Sequence, residues 1–348
     1  MLSLEGGQLS MAFHHANCKI SSGEFLPFID PGESLAIKYP CKGNGINIID
    51  CKMPQKDIFI EEINGLDFNT VLKMKDYDLD LPNYIPIISA EFFGIDSQSI
   101  LQETIGVALK DIIISHSKIK PGILELPVFR NKKVILFMSG PDEFIENVWW
   151  KSGNSELFEQ IGSAGFTAVT AINFSVFFGE CPLAHAINLK KSLKILQLIE
   201  SAGGNIIPHL YWANKNHLRR LVEWLNRNQK VKNIVVNCQS YKKSDYTLLK
   251  YGLEYIKLNV NRSLRFVLEG PKSRHLKFLN QEIKDSLSLV YKVASYNTRN
   301  YRQFFASSKV GLTVQEAIIK NQKNLLIHNI KTHAAYSCAS VMGILYSF

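Results

Sequence analysis

Apolar and polar positions are grouped in blocks along most of this chain, and one grouping occurs twice. Ile161-Gly162-Ser163-Ala164-Gly165 closes an amphipathic run, and Ile199-Glu200-Ser201-Ala202-Gly203 closes another 38 residues later. An apolar, β-prone run follows each at once, over 166–172 and 205–210. Glycine at the end of a helical pattern supplies the left-handed residue that stops the helix, so each copy predicts helix, stop, strand. A period of that size, carrying one helix and one strand, is the period of a βα unit.

From residue 84 the pattern predicts eight strands, at 84–90, 133–138, 166–172, 205–210, 233–236, 265–268, 287–294 and 324–327. Helices are predicted between them. Ile100, Leu101, Ile105, Leu109 and Ile112 fall at helical spacing within 97–114, and Leu189, Leu193, Leu196 and Ile199 form a stripe. Asn214 stands where it would cap a helix of Leu218, Leu221, Val222 and Leu225 running to Asn228. Ser244 does the same for Leu248, Leu249, Leu253, Ile256 and Leu258. Further helices are expected at 301–307, 314–321 and 332–348.

Eight strands alternating with helices over about 265 residues predict a closed (β/α)8 barrel of the TIM type, whose usual length is about 250 residues. An open doubly wound sheet is the runner-up. No G-x-G-x-x-G follows any strand, however, and no G-x-x-x-x-G-K-[ST] occurs. Residues 1–80 do not share the βα rhythm. Their short apolar runs are broken by Gly, Pro, Asp and Asn, which predicts a small β-rich N-terminal appendage before a barrel domain over 81–348.

Composition narrows the class. With 46% hydrophobic and 20% charged residues and a mean hydropathy of -0.02, the 348-residue chain reads as an ordinary soluble protein. No stretch of about 18 apolar residues spans a membrane, and Met1 to Met11 lacks the basic and apolar regions of a secretory signal, so a cytoplasmic location is expected. Six cysteines (Cys18, Cys41, Cys51, Cys181, Cys238, Cys338) are scattered without a C-x-x-C pair, which predicts free thiols. A formal charge of +9 favours an acidic partner, either nucleic acid or a phosphorylated small molecule. A protein partner is the remaining option, and no cofactor is called for.

A barrel carries its chemistry at the C-terminal ends of its strands, and polar residues cluster there in this chain. In order they are Glu91, Ser139 and Asp142, Asn173 and Ser175, His209 with Tyr211 and Trp212, Asn237 and Gln239, Glu269, Ser295 with Asn297 and Arg299, and His328 with Asn329. Asp142, His209 and Glu269 are the candidate catalytic groups. Glu269 is the most exacting, because a carboxylate at the inner end of an apolar strand is costly unless paired or used. Asp142 after Gly140-Pro141 also suits a helix cap, and His209 after Pro208 also suits a satisfied core histidine. Asn173, Ser175, Trp212, Asn237, Gln239, Asn297 and Arg299 are the candidate substrate-binding groups, amides for a heterocycle or sugar and an indole for stacking. Cys181, His185, His209 and Cys238 have donor types that zinc accepts, but they lack compact ligand spacing and no metal is assigned. Neither G-x-S-x-G nor a recognised Cys-His spacing supports covalent catalysis. Among the basic doublets, Lys190-Lys191 and Arg219-Arg220 are expected on solvated outer faces, while Lys242-Lys243, Lys272, Arg274 and Arg299 follow strand ends.

Asn173-Phe174-Ser175, the turn at Cys181-Pro182-Leu183-Ala184 and the run Ile207-Pro208-His209-Leu210-Tyr211-Trp212 together resemble an uncharacterised family of bacterial and mobile-element proteins, over 166–271. The resemblance implies a barrel-like α/β fold and carries no activity; the clustered zinc-binding cysteines of the nucleobase-exchanging transglycosylases are missing. The residues therefore point to a barrel enzyme acting on a nucleotide, nucleoside or nucleic-acid component, by transferase- or hydrolase-like chemistry. The alternative is a non-catalytic module of a mobile element or phage-defence system that binds nucleic acid or protein through Lys190, Lys191, Arg219 and Arg220.

Overall fold

The computed structural model describes residues 71–73, 79–115, 118–151, 156–174, 182–212, 215–239, 246–272, 276–277, 279–293 and positions 324, 326, 327, 330, 331 and 334. Eight parallel strands form one sheet: β1 (Tyr84–Ile88), β2 (Thr104–Ala108), β3 (Lys133–Phe137), β4 (Ala168–Thr170), β5 (Ile206–Ile207), β6 (Asn233–Asn237), β7 (Arg265–Glu269) and β8 (Leu287–Val293). Each except β5 pairs with the next in chain order, and β8 pairs with β1. The seam between β5 and β6 is closed by a parallel bridge of His209 to Val235, with Leu210 N–H donating to Val235 O at 2.9 Å and Val235 N–H to Pro208 O at 2.9 Å. The sheet is thus a (β/α)8 barrel.

Helices α1 (Leu109–Ile112), α2 (Asp142–Lys151), α3 (Glu156–Ser163), α4 (Pro182–Ser201), α5 (Lys215–Arg227), α6 (Tyr246–Asn259) and α7 (Gln281–Lys284) lie between the strands. The repeated Gly stops behave as the pattern requires: Gly165 and Gly203 have φ of 89° and 95°, the left-handed geometry that ends α3 and α4. A larger apolar layer fills the space between sheet and helices. A second cluster fills the lumen, with Ile85, Ile87, Ala108, Ile135, Phe137, Ala168, Ile207, Val235, Val267 and Val290 supplied by the inward-facing, alternate positions of the strands. Leu79 and Leu81 of the entering segment join that cluster, and Asn233 Nδ2 donates to Leu79 O at 3.1 Å.

Seven of the expected strands coincide with barrel strands; the eighth is corrected. The described positions in 324–327 are helical, and the missing strand is β2, inside the region expected to be a helix over 97–114. All five β2 residues are buried, so the strand shows no apolar-polar alternation and its neighbours mimic helical spacing. Gly106 marks the difference, since a Cβ there would lie 2.8 Å from the Phe137 ring and 2.9 Å from Ile87 in the lumen. Of the expected N-terminal appendage, only 71–73 and 79–80 lie among the described residues. The expected helices at 301–307 and 314–321 lie outside them, as does 332–348 apart from position 334.

Candidate active site

Groups from four strand ends of the barrel, those of β3, β5, β6 and β7, meet at the Glu269 carboxyl. The inward positions of β3 continue from Ile135 and Phe137 to Ser139, and those of β7 run through Val267 to Glu269. Ser139 Oγ donates to Glu269 Oε1 although 130 residues separate the two in sequence. From β6, Asn237 pairs in register with Glu269. Asn237 Oδ1 accepts from Gln239 N–H at 2.9 Å, a local turn that brings the Gln239 side chain back so that Nε2 lies 3.5 Å from Glu269 Oε1. Gly270 permits this approach: its φ is 63°, and a Cβ there would sit 2.5 Å from Gln239 Cγ. His209 Nε2, from the end of β5, stands 3.7 Å from Glu269 Oε2.

Glu269 and His209 are only 2% and 3% exposed. Burial raises the Glu269 carboxyl from its ordinary 4.5 to about 7, the Ser139 hydrogen bond partly opposing it. Burial lowers His209 to about 3, so its imidazole is neutral at physiological pH. A neutral ring at 3.7 Å makes neither an ion pair nor a hydrogen bond, so the two buried side chains do not compensate each other. Among the described residues, His209 Nδ1, His209 Nε2 and Glu269 Oε2 are buried with no hydrogen-bond partner. Each orphaned buried polar atom costs on the order of 1–3 kcal/mol. Three of these atoms gather at one strand-end site, which singles it out as the candidate.

The other candidates are distributed around this cluster. Asp142 occupies the first turn of α2, where its carboxylate complements the helix dipole. Asn173 is half-buried beyond β4. Trp212 is drawn away from the mouth: it is 3% exposed, its Nε1 donates to Leu248 O at 3.1 Å, and it packs on α6 at Gly252. Cys238 belongs to the layer outside the sheet, with Sγ 3.7 Å from Val236 O, and burial followed by the Glu269 charge pushes its thiol up. Ser175, Asn297, Arg299 and Cys181 lie outside the described residues, as does the His185 side chain. Among the described residues no three His, Cys, Asp or Glu side chains gather in a way that would hold a metal ion, and no helix is long and apolar enough to cross a membrane.

Two features were not legible beforehand. Lys292 occupies an inward register position near the end of β8 opposite Ile87, and its Nζ pairs with Asp111 Oδ2 of α1 at 3.1 Å. Alternation with Val290 was the available signal. The solvated basic face expected at Lys190-Lys191 is corrected: the two are 4% and 2% exposed. Lys191 Nζ lies 2.9 Å from Glu146 Oε2 of α2 and 4.3 Å from the centre of the Phe174 ring. An ammonium whose stem packs among apolar side chains and whose head finds a carboxylate is stable inside, so the doublet is not a docking face.

No protein-family model and no curated protein sequence matches the chain. One similar solved structure is D-psicose 3-epimerase with D-tagatose from Clostridium cellulolyticum H10, at 8% identity and a TM-score of 0.38, covering 74% of this chain and 99% of that chain. That likeness is too distant to bear on substrate or mechanism, and the fold rests on the strand pairing described above.

Proposed function

We propose that this barrel is an enzyme that transfers a proton on a nucleotide, nucleoside or nucleic-acid component, in a transglycosylase- or hydrolase-like reaction. The observation that carries this reading is Glu269: a carboxyl buried at a strand end, raised to about 7, with its Oε2 facing an unpartnered, neutral His209. A general acid or base works best when its pKa is near the working pH, and such a residue contributes on the order of 100- to 10,000-fold. Glu269 carries the proton. His209 offers a neutral nitrogen to the substrate, and Ser139 and Gln239 hold the carboxyl in place. Asn237 and Asn173 supply amides suited to a base or sugar, and the +9 charge favours a phosphorylated substrate.

The test incubates the full chain with a panel of nucleosides and nucleoside monophosphates and follows base release or exchange by NMR. Wild type is expected to turn over a member of the panel with a pH profile bending near 7, and Glu269→Gln to lose at least about 100-fold. Turnover unchanged in that variant, or no turnover of any member, defeats the reading.

A further inference from the structure

We propose that Ser139 is a nucleophile that accepts an acyl group from a carboxylic ester, with Glu269 as the base that takes its hydroxyl proton. The inference rests on the reading of Glu269 as a proton carrier but not on the nucleotide substrate. Its ground is geometric. Ser139 Oγ already donates to Glu269 Oε1, which is the nucleophile-to-base contact that hydroxyl activation requires. Gln239 Nε2 approaches the same oxygen from β6, so the base has a group that orients it. Exposure is graded in the useful sense: Ser139 is half-buried at the mouth, whereas Glu269 lies behind it at 2% exposure. An incoming carbonyl therefore meets the hydroxyl first and the carboxylate through it. No sequence pattern announces this pair, because base and nucleophile come from β7 and β3.

The electrophile follows from local charge. Asp142 and Glu143 open α2 directly after Ser139-Gly140-Pro141, and Glu269 lies behind the hydroxyl. Glu269 against the hydroxyl and two acidic residues in the helical turn that follows suit an uncharged carbonyl carbon as the group that Ser139 attacks. In the first step the Ser139 proton passes to Glu269, the Oγ–C bond forms, and the carbon–alkoxy bond breaks. The departing alcohol leaves with that proton. Water then gives a proton to Glu269 and attacks the acyl-serine, and collapse releases the carboxylic acid and returns the proton to Ser139 Oγ.

Among the described residues, the titratable group beside the Glu269 carboxyl is His209 from the end of β5, and Cys238, on the outer face of the sheet, feels its charge; burial keeps the first neutral and the second a thiol, so an inflection near 7 belongs to Glu269. The experiment treats the full chain with p-nitrophenyl acetate, quenches with acid and maps acetylation by peptide mass spectrometry as a function of pH. Acetyl-Ser139 is expected, forming faster as pH rises through about 7. It should be absent in Ser139→Ala, retained as a thioester in Ser139→Cys, and formed at least about 100-fold more slowly, without the inflection, in Glu269→Gln. Absence of acetyl at position 139 in the wild type, or labelling that Glu269→Gln leaves unchanged, overturns the proposal. Nucleoside turnover that depends on Glu269 without acetyl-Ser139 would remove this inference alone. Acetyl-Ser139 without nucleoside turnover would remove only the substrate class proposed above.

Discussion

Replacing Glu269 with Gln should stabilise the protein, and only above a definite pH. The folded carboxyl titrates at about 7 against an ordinary 4.5. Below 4.5 both folded and unfolded states carry the proton and nothing is lost. Between 4.5 and about 7 the unfolded chain releases its proton while the folded chain keeps it, so stability falls as pH rises. At ~1.4 kcal/mol per pH unit, the full cost above 7 is about 3 kcal/mol. Gln keeps the length of the side chain and an oxygen for Ser139, and its amide has the unpartnered His209 Nε2 as an acceptor. His209 works in the opposite sense, its depressed value costing stability as pH falls from 6.5 towards 3, but both proteins share that cost. Urea denaturation followed by tryptophan fluorescence, using the buried Trp212 and Trp224, reads the difference. The variant is expected to match wild type within about 0.5 kcal/mol near pH 4.5 and to exceed it by about 3 kcal/mol near pH 8. A gap independent of pH, or a variant weaker than wild type near pH 8, refutes the burial account of Glu269.

Two further outcomes test the scaffold. Gly252→Ala places a Cβ 2.0 Å from the Trp212 indole, which its bond to Leu248 O holds in place, so a loss of about 1–3 kcal/mol is expected despite the better helix propensity of Ala; a rise in thermal stability would show that Trp212 is free to move. Glu146→Gln leaves the Lys191 ammonium buried without its carboxylate and should cost about 3 kcal/mol in urea denaturation, most of it recovered by adding Lys191→Met; a double variant no better than the single one would contradict this.

Much of this molecule is written locally. The Gly stops at 165 and 203 and the apolar runs after them need only the chain's own backbone preferences, and they come out as helix ends and strands. Strand ends follow from the same pattern, which is why Glu269, His209, Asn237 and Gln239 were legible as one candidate site. β2 was not, because a strand buried on both faces carries no alternation, and its neighbours at helical spacing took precedence. The burial of Lys190 and Lys191 was hidden for a related reason: a charge doublet looks solvated until a partner such as Glu146, from another helix, is placed beside it. Trp212 sits at a strand end by sequence, yet α6 at Gly252 takes it into the outer layer.

The sequence by itself determined that Glu269 ends an apolar strand, and periodicity suffices for that because it involves only neighbours along the chain. Closure of the barrel decided what the carboxyl meets. Ser139 of β3 reaches it across the lumen from 130 residues away, and His209 arrives through the seam that joins β5 to β6. Burial is a property of the closed barrel rather than of any segment, so the shift of Glu269 to about 7, and with it the chemistry the site can perform, exists only in the tertiary structure.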